Sequence, residues 1–450
     1  MSEVKIVKVS DKRQLEAFIQ FHYDLYRGNE YDVPNLHSDE INTLSEDKNP
    51  AFEFCKAQYF LAYKDGKVVG RVAAIINEKA NKRWEQSRVR FGWIDFIDDI
   101  EVSRALLDAV EQWGREHGMK EVVGPLGFTD MDPEGMLTWG FDQLGTQATI
   151  YNYPYYPQHM EKLGGWEKDN DYVEYKMYVP EEVPEKYTKI AQMIEKRYNL
   201  HVKKLTRDEV FKQGYGQKIF SIINDTFKDL YGYSELSQKQ IDHYVKMYLP
   251  MADLNLITLV EDWNADKKVV GVGITIPSLS RAFQKCRNGR LFPFGWWHVL
   301  RALKYQKTEG VDLLLMGILP EYRAKGANAL MFADLIPWYQ KYGYKWGESQ
   351  VERGTCRSAN NPQYAVCGKT GTAQNRGQDH SVFMGFAPME NPKIAIAVYV
   401  ENGGFGAEFG VPIGGLMIEQ YIHGKLTEAQ KRRAEEIQKR RIGYGPGNRN

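Results

Sequence analysis

Apolar residues follow two rhythms along the first 350 or so positions, one of strands and one of helices. Val4–Val9 alternates as a short strand, and Leu15, Phe18, Ile19 and Leu25 then keep helical spacing. Tyr59–Tyr63 and Val68–Ile76 flank Lys64-Asp65-Gly66-Lys67, an Asp-Gly hairpin signal between apolar runs. Phe91–Ile97 predicts a further strand. Residues 103–117 predict a helix carrying Leu106, Val110 and Trp113 and stopped by Gly118, and Val122-Val123 is a strand broken by Gly124-Pro125.

The pattern starts again beyond Pro184. A strand over 201–205 leads into a helix ending Asp229-Leu230-Tyr231-Gly232, which echoes Asp24-Leu25-Tyr26-Arg27-Gly28 in the first block; a tandem repeat and chance both account for it. Leu256–Val260 and Val269–Ile276 read as a second hairpin, Val311–Leu319 as a strand, and Ala327–Tyr342 as a helix. After Gly347 the composition changes, and the last strands of the repeat are expected to be missing, leaving an open sheet edge. A strand pair over 381–387 and 393–400, a helix over 411–422 and a charged helical tail over 427–441 complete the pattern.

Lys+Arg and Asp+Glu balance at 59 each, so no global field favours nucleic acid. Cys55, Cys286, Cys356 and Cys367 show no metal-ligand spacing, so no metal is expected. The N-terminus has no signal-peptide core and no apolar run approaches a spanning helix, which leads us to expect a cytoplasmic protein. Residues 281–305 mix Arg287, Arg290, Arg301 and Lys304 with Phe292, Phe294, Trp296 and Trp297. Two readings stand: a helix packed on the sheet with its basic face in water, or a peripheral contact with the inner membrane.

Gly317-Ile318-Leu319-Pro320-Glu321-Tyr322-Arg323-Ala324-Lys325-Gly326 resembles the acyl-CoA pyrophosphate loop of GNAT-type N-acyltransferases, with Asn328 where that loop usually has its second glycine. Strand, proline break, small-residue turn and helix are what backbone amides need to hold phosphates. Asn49-Pro50-Ala51-Phe52, the run 66–74, Phe91-Gly92-Trp93, Gly124-Pro125-Leu126-Gly127-Phe128, Gly140-Phe141-Asp142, the run 151–156 and Pro293-Phe294-Gly295-Trp296 occur in the order found in the bacterial ceramide-synthase-like branch of GNAT proteins, which this region resembles over roughly 1–350. The resemblance implies acyl-CoA, or another acyl thioester, as co-substrate and a long-chain amine or other small molecule as acceptor. Its implied cofactor-binding residues are Ile318, Leu319, Arg323, Ala324, Lys325, Gly326, Ala327, Asn328 and Ala329. Asn152, Tyr155 and Tyr156 are candidates for the acceptor cleft. Asp130, Asp132 and Glu134 either hold a general base or form a loop with a helix starting at Pro133.

Lys369-Thr370-Gly371-Thr372, followed by Ala373-Gln374-Asn375, then Asp379-His380-Ser381 and Gly385-Phe386-Ala387-Pro388, resembles the C-terminal end of a class B penicillin-binding transpeptidase domain. There Lys369, Thr370, Gly371 and Thr372 would be the remnant of a carboxylate- or β-lactam-binding strand. The nucleophile requires Ser-x-x-Lys opening a helix; Ser2-Glu3-Val4-Lys5 begins a strand, and Ser45-Glu46-Asp47-Lys48 lies in a polar loop.

The sequence therefore predicts an α/β (α+β) chain: a GNAT-like half over 1–180, a second with the acyl-CoA loop over 181–350, a transpeptidase fragment over 351–425 and a charged tail over 426–450. N-acyl transfer is the expected activity. A peptidoglycan-related binding module and an inactive chimera are the alternatives.

Overall fold

The computed structural model describes residues 3–442, apart from 171, 184, 229, 231, 324, 353–365, 374–379, 390, 405 and 407; at 186, 187, 350–352, 370–373 and 429 it describes the backbone alone. The chain divides into two compact units, Met1–Asn170 with Glu174–Gln350 and Asp171–Val173 with Val351–Asn450.

In the first sheet, β1 (Lys5–Lys8), β2 (Cys55–Lys64), β3 (Lys67–Asn77), β4 (Arg88–Phe96) and β5 (Glu121–Val123) lie side by side in chain order, antiparallel except for the parallel pair β4–β5. Helices α1 (Lys12–Leu25) and α2 (His37–Leu44) precede β2, α3 (Glu78–Arg83) follows β3, and α4 (Ile100–Glu116) makes the crossover that a parallel pair requires. α5 (Tyr155–Leu163) closes this half. Strand β3 is apolar on both faces because both are covered. Val72, Ala74 and Ile76 pack with Leu106, Val110 and Trp113 of α4, whereas Ala73 and Ile75 pack with Phe18 and Ile19 of α1.

The second half adds β6 (Tyr172–Tyr178), α6 (Glu185–Tyr198), β7 (Leu200–Lys203), α7 (Arg207–Lys212), α8 (Tyr215–Phe227), α9 (Gln238–Tyr248), β8 (Ile257–Asp262) and β9 (Lys268–Pro277). It continues with α10 (Ser280–Gln284), α11 (Gly295–Leu303), β10 (Gly310–Ile318), α12 (Pro320–Arg323), α13 (Ala327–Tyr342) and β11 (Trp346–Glu352). Its sheet runs β6-β11-β10-β9-β8-β7, so β7 to β11 repeat the order of β1 to β5, with α13 in the place of α4. Both fourth strands are bulged against the third. Trp93 and Ile94 together oppose Val72, and Leu314 is the extra residue between Leu313 and Leu315. The shared topology and shared bulge make the echo in the sequence a structural repeat.

Two expectations are corrected. The last strand of the second sheet is present: Trp346–Glu352 forms β11 parallel to β10, with Gly310 opposite Trp346 and Leu313 opposite Ser349, and β6 lines its other edge. Its small and charged residues, Gly347, Glu348 and Ser349, hide this strand from a reading that relies on apolar periodicity. No helix starts at Pro133; residues 129–136 are an irregular loop.

The second unit holds β12 (Cys367–Ala373), β13 (His380–Ala387) and β14 (Ile394–Val400), all antiparallel, with α14 (Gly410–His423) and α15 (Glu428–Lys439). Phe383, Ala387, Val411 and Ile418 form its core. Among the described residues, no helix of the chain is long and apolar enough to cross a membrane.

Candidate functional site

A cleft in the first half, with roughly 820 Å³ of empty space counting its open mouth, reaches down to the bulge of β4. The bulge holds Trp93 at φ 46°, a left-handed backbone uncommon for a large residue. It directs the Trp93 indole N–H to Glu40 Oε2 at 3.0 Å and sets Asp95 opposite Arg71 across the ladder.

Asp95 is the centre of the floor. Its Oδ2 accepts from Arg71 Nε at 2.8 Å and lies 3.0 Å from His22 Nδ1, while Oδ1 accepts from the Tyr156 hydroxyl at 3.1 Å. Arg71 also donates to the Phe18 carbonyl at 3.1 Å, and its guanidinium lies 4.0 Å from Glu40. On its other side the His22 ring meets Asp32 at 3.5 Å. Burial works against a charge on His22, but the Asp32 and Asp95 carboxylates outweigh it and push the pKa from 6.5 up to about 10. His22 is therefore an imidazolium at neutral pH, a donor rather than a base. Burial likewise opposes ionisation of Asp95, yet Arg71 and His22 hold it below the usual carboxylate range. Three carboxylates, Asp32, Glu40 and Asp95, face two cations, so the cleft carries one excess negative charge and suits a cationic ligand.

Of the cleft candidates named from sequence, Asn152 and Tyr156 line this cleft and Tyr155 does not, and the polar atoms of all three are committed to the protein. The Tyr156 hydroxyl accepts from Phe96 N and Tyr26 Oη while donating to Asp95. The Asn152 amide clasps the backbone of Leu137 at 2.6 and 3.1 Å. The Tyr155 hydroxyl donates to the Phe96 carbonyl at 2.6 Å. Asp130 accepts from Ser234 N at 3.1 Å, tying the two halves of this unit together. Burial raises the pKa of Asp132 to about 6 although its Oδ2 accepts from Thr129 N at 3.0 Å. Sequence reading missed His22, Asp32, Glu40, Arg71 and Asp95. The available signal was a charge inside an apolar run: Arg71 interrupts Val68–Ile76, and Asp95 interrupts Phe91–Ile97.

In the second half, the predicted loop leaves β10 at Ile318 and enters α13 through Gly326, whose φ of 77° suits glycine. Among the described residues the α13 N-terminus has no side-chain cap, and the amides of its first turn, at Ala327 and Asn328, have no intrahelical acceptor. The equivalent helix of the first half is closed: Asp99 caps α4 at the Glu101 amide and pairs with Lys64 at 2.6 Å. Of the two repeats, only α13 keeps an open, anion-attracting start. Leu319 and Ala327 are buried, Asn328 is exposed and Ala329 half-buried. Arg323 donates to the carbonyls of Ile318 and Thr226 at 3.1 Å each, and Lys325 lies 4.0 Å from the Tyr322 ring centre. Both thus brace the loop. Ala324 lies outside the described residues.

Beside this loop's strand sits a carboxylate cluster. Asp312 on β10, 2% exposed, is in register with Glu348 on β11, and Glu174 on β6 faces the same pair. Burial raises Asp312 to about 7 against the opposing Ser278 hydroxyl, with smaller upward contributions from Glu348 and Glu174, and neither carboxyl oxygen makes a well-formed hydrogen bond. Glu174 itself is solvent-exposed, so desolvation counts for little and the neighbouring Glu348 is the cause that pushes its pKa up. Among the described residues, no cluster fits a metal ion.

In the second unit, Lys369 is exposed on β12, opposite Met384, and Thr370, Gly371 and Thr372 continue that strand opposite Phe383, Val382 and Ser381. Ser381 is buried, and its Oγ accepts from Gly410 N at 3.0 Å.

Comparison with known proteins follows this division. Over 334 residues the chain is 26% identical to a bacterial ceramide synthase of Caulobacter vibrioides, covering 73% of this chain and 84% of that protein. Residues 348–414 match the penicillin-binding-protein transpeptidase domain. A peptidoglycan D,D-transpeptidase, MrdA, of Acinetobacter baumannii is 39% identical over 82 residues, which is 14% of this chain and only 12% of that enzyme. Among solved structures, a tandem GNAT protein from the clavulanic acid biosynthesis pathway aligns with a TM-score of 0.43 at 13% identity, covering 80% of this chain and 92% of that one.

Because folding raises the His22 pKa from 6.5 to about 10, its contribution is complete below pH 6.5 and is lost as the pH climbs through 10. Unfolding titrations of wild type and His22→Gln should differ by about 4–5 kcal/mol near pH 6 and converge toward pH 10. A gap that stays constant with pH would show that His22 is neutral in the fold.

Proposed function

We propose that the chain transfers an acyl group from a coenzyme A thioester to a primary amine. The observation that carries this reading is the contrast between the two crossover helices. One is capped by its own aspartate, and the other opens at Gly326 with free first-turn amides beside a parallel strand pair. The similarity to a ceramide synthase supports a long-chain amine as acceptor.

The reaction needs a neutral amine and a place for its proton. An amine reaches the protein as an ammonium ion, which the excess negative charge of the first cleft favours, with Asp32 the carboxylate at the His22 end. His22 holds its own proton and donates. The proton released on acyl transfer would leave through a carboxylate lining that cleft or through solvent at its mouth. The segment 348–414 is, in this reading, a relic of a transpeptidase: its Lys-Thr-Gly strand is formed, while its own serine nucleophile belongs to a part of that domain lying outside the match. Incubation with a fluorescent penicillin should leave the chain unlabelled; a covalent adduct on any serine would reject that statement.

Coenzyme A should raise the melting temperature of the wild type, and Asn328→Glu should abolish the rise. An acidic residue in the first helical turn favours the unliganded helix by about 0.3–1 kcal/mol, so misfolding would not explain the loss. A shift that survives would place the phosphates elsewhere.

Asp312→Asn should stabilise the fold in a pH-dependent way. Folding holds the Asp312 proton, so ionisation costs stability as the pH rises from 3.8 through about 7. The neutral variant should melt higher than wild type at pH 8, and the difference should shrink toward pH 4. Equal melting temperatures at pH 8 would show that Asp312 is not held protonated by the fold.

A further inference from the structure

The two repeats differ most in the connection between their third and fourth strands. It spans 78–87 in the first and 278–309 in the second, 10 residues against 32. Loops that grow on a repeated scaffold are where new contacts are added. Residues 278–309 contain seven Lys or Arg and a single acid, Glu309 at the very end, although the whole chain balances at 59 to 59. The connection thus carries a local charge of +6 within a chain of zero net charge.

Its apolar side chains are on the outside. Phe292 and Phe294 are 79% and 76% exposed, and Trp296, Trp297 and Tyr305 are between 43% and 52% exposed. The inner face of the same connection is packed: Leu279, Ala282, Phe283 and Ala302 are buried against Val33 and Leu36. So the exposed rings are a second, outward apolar surface on an anchored element. Arg290 is tied to Glu16 at 2.6 Å. Lys285, Arg287, Arg301, Lys304 and Lys307 have no ion pair among the described residues.

We propose that this connection docks the protein on an anionic phospholipid bilayer. The chemistry divides by depth. Phe292 and Phe294, which have no polar tip, enter the acyl boundary. Trp296, Trp297 and Tyr305 sit at headgroup level, where an apolar ring with one polar atom is most stable. The five unpaired cations meet lipid phosphates. A stretch with seven cations and one anion is complementary to a negative surface, and a zero-net-charge protein needs such a local patch to be attracted at all. The surface is joined to the cleft of the first half: Gln284 donates to the carbonyls of Glu30 and Asp32 at 3.0 and 2.9 Å, and Asp32 and Val33 line that cleft. A bilayer bound here would lie beside the loop 30–33. The proposal concerns binding alone and does not rest on acyl transfer.

The test is co-flotation of the full chain with vesicles of phosphatidylcholine containing about 30 mol% phosphatidylglycerol. Wild type should float with them, remain at the bottom with pure phosphatidylcholine, and be released by about 0.5 M NaCl. Phe292→Ser with Phe294→Ser should weaken binding at least about tenfold. Arg301→Glu with Lys304→Glu should do so by a similar or greater factor. All four positions are exposed, so melting temperatures should not change; any that do would be replaced by Lys285→Glu with Arg287→Glu. Wild type that fails to float, or phenylalanine variants that float as well as wild type, would overturn the proposal. So would a wild-type dimer in sedimentation that the phenylalanine variants dissociate, or an oligonucleotide that binds the patch more tightly than vesicles do.

Discussion

A carboxylate in the middle of a sheet with both faces covered must bring its cations with it, and Asp95 is that group here. Removing it from water without a partner would cost several kcal/mol. Arg71 from the neighbouring strand and His22 from α1 supply two positive charges within 3.0 Å, and Tyr156 a neutral donor at 3.1 Å. Each partner is fixed in turn, Arg71 by the Phe18 carbonyl and Tyr156 by Phe96 N. The bulge at Trp93 is the backbone device that lets β4 present Asp95 to this group while its neighbours stay in the apolar layers. Strand, helix and cleft floor are therefore one electrostatic unit. The cleft keeps its shape because altering any member leaves a buried charge alone.

How much of this could be read from residues depended on whether the signal was local. The hairpin about Asp65-Gly66, the helix over 100–116 and the helix over Ala327–Tyr342 follow from turn chemistry and 3.6-residue periodicity, and all are present. Strands β6 and β11 escaped, since Tyr172–Tyr178 and Trp346–Glu352 carry charges at positions that only a neighbouring strand makes intelligible. The Glu348–Lys176 pair at 3.4 Å is one such case. The cleft escaped for the same reason. His22, Arg71 and Asp95 are 24 to 73 positions apart in the chain, and only the β3–β4 register with α1 brings them together. The aromatic residues 151–156 were easier to notice and are less free to react, since their hydroxyls and amide are joined to backbone groups.

Duplication explains why one repeat has the open helix start and the other the charged floor. In the first repeat, Asp99 caps α4 and Asp98 pairs with His159 at 2.9 Å, so carboxylates already occupy the helix start that α13 leaves without a side-chain cap. In the second repeat, β10 has no counterpart of the Asp95 group. Its buried acid, Asp312, stands at the opposite end of the strand among other carboxylates and titrates near neutrality. Two copies of one topology have thus taken opposite electrostatic characters: a fixed ion network in one, a poised acid and a bare helix end in the other.

The transpeptidase segment obeys a different logic. Phe383 packs against α14 through Gly414, and Ser381 holds Gly410, so the strand pair and helix are held by contacts within their own unit. A fragment can keep such packing because apolar burial is short-ranged. Chemistry cannot be kept in the same way. A serine nucleophile needs its base and its oxyanion donors held together in one arrangement, which the packing of three strands and a helix does not by itself supply. The strand sequence around Lys369 thus keeps its resemblance to the transpeptidase domain through packing within its own unit.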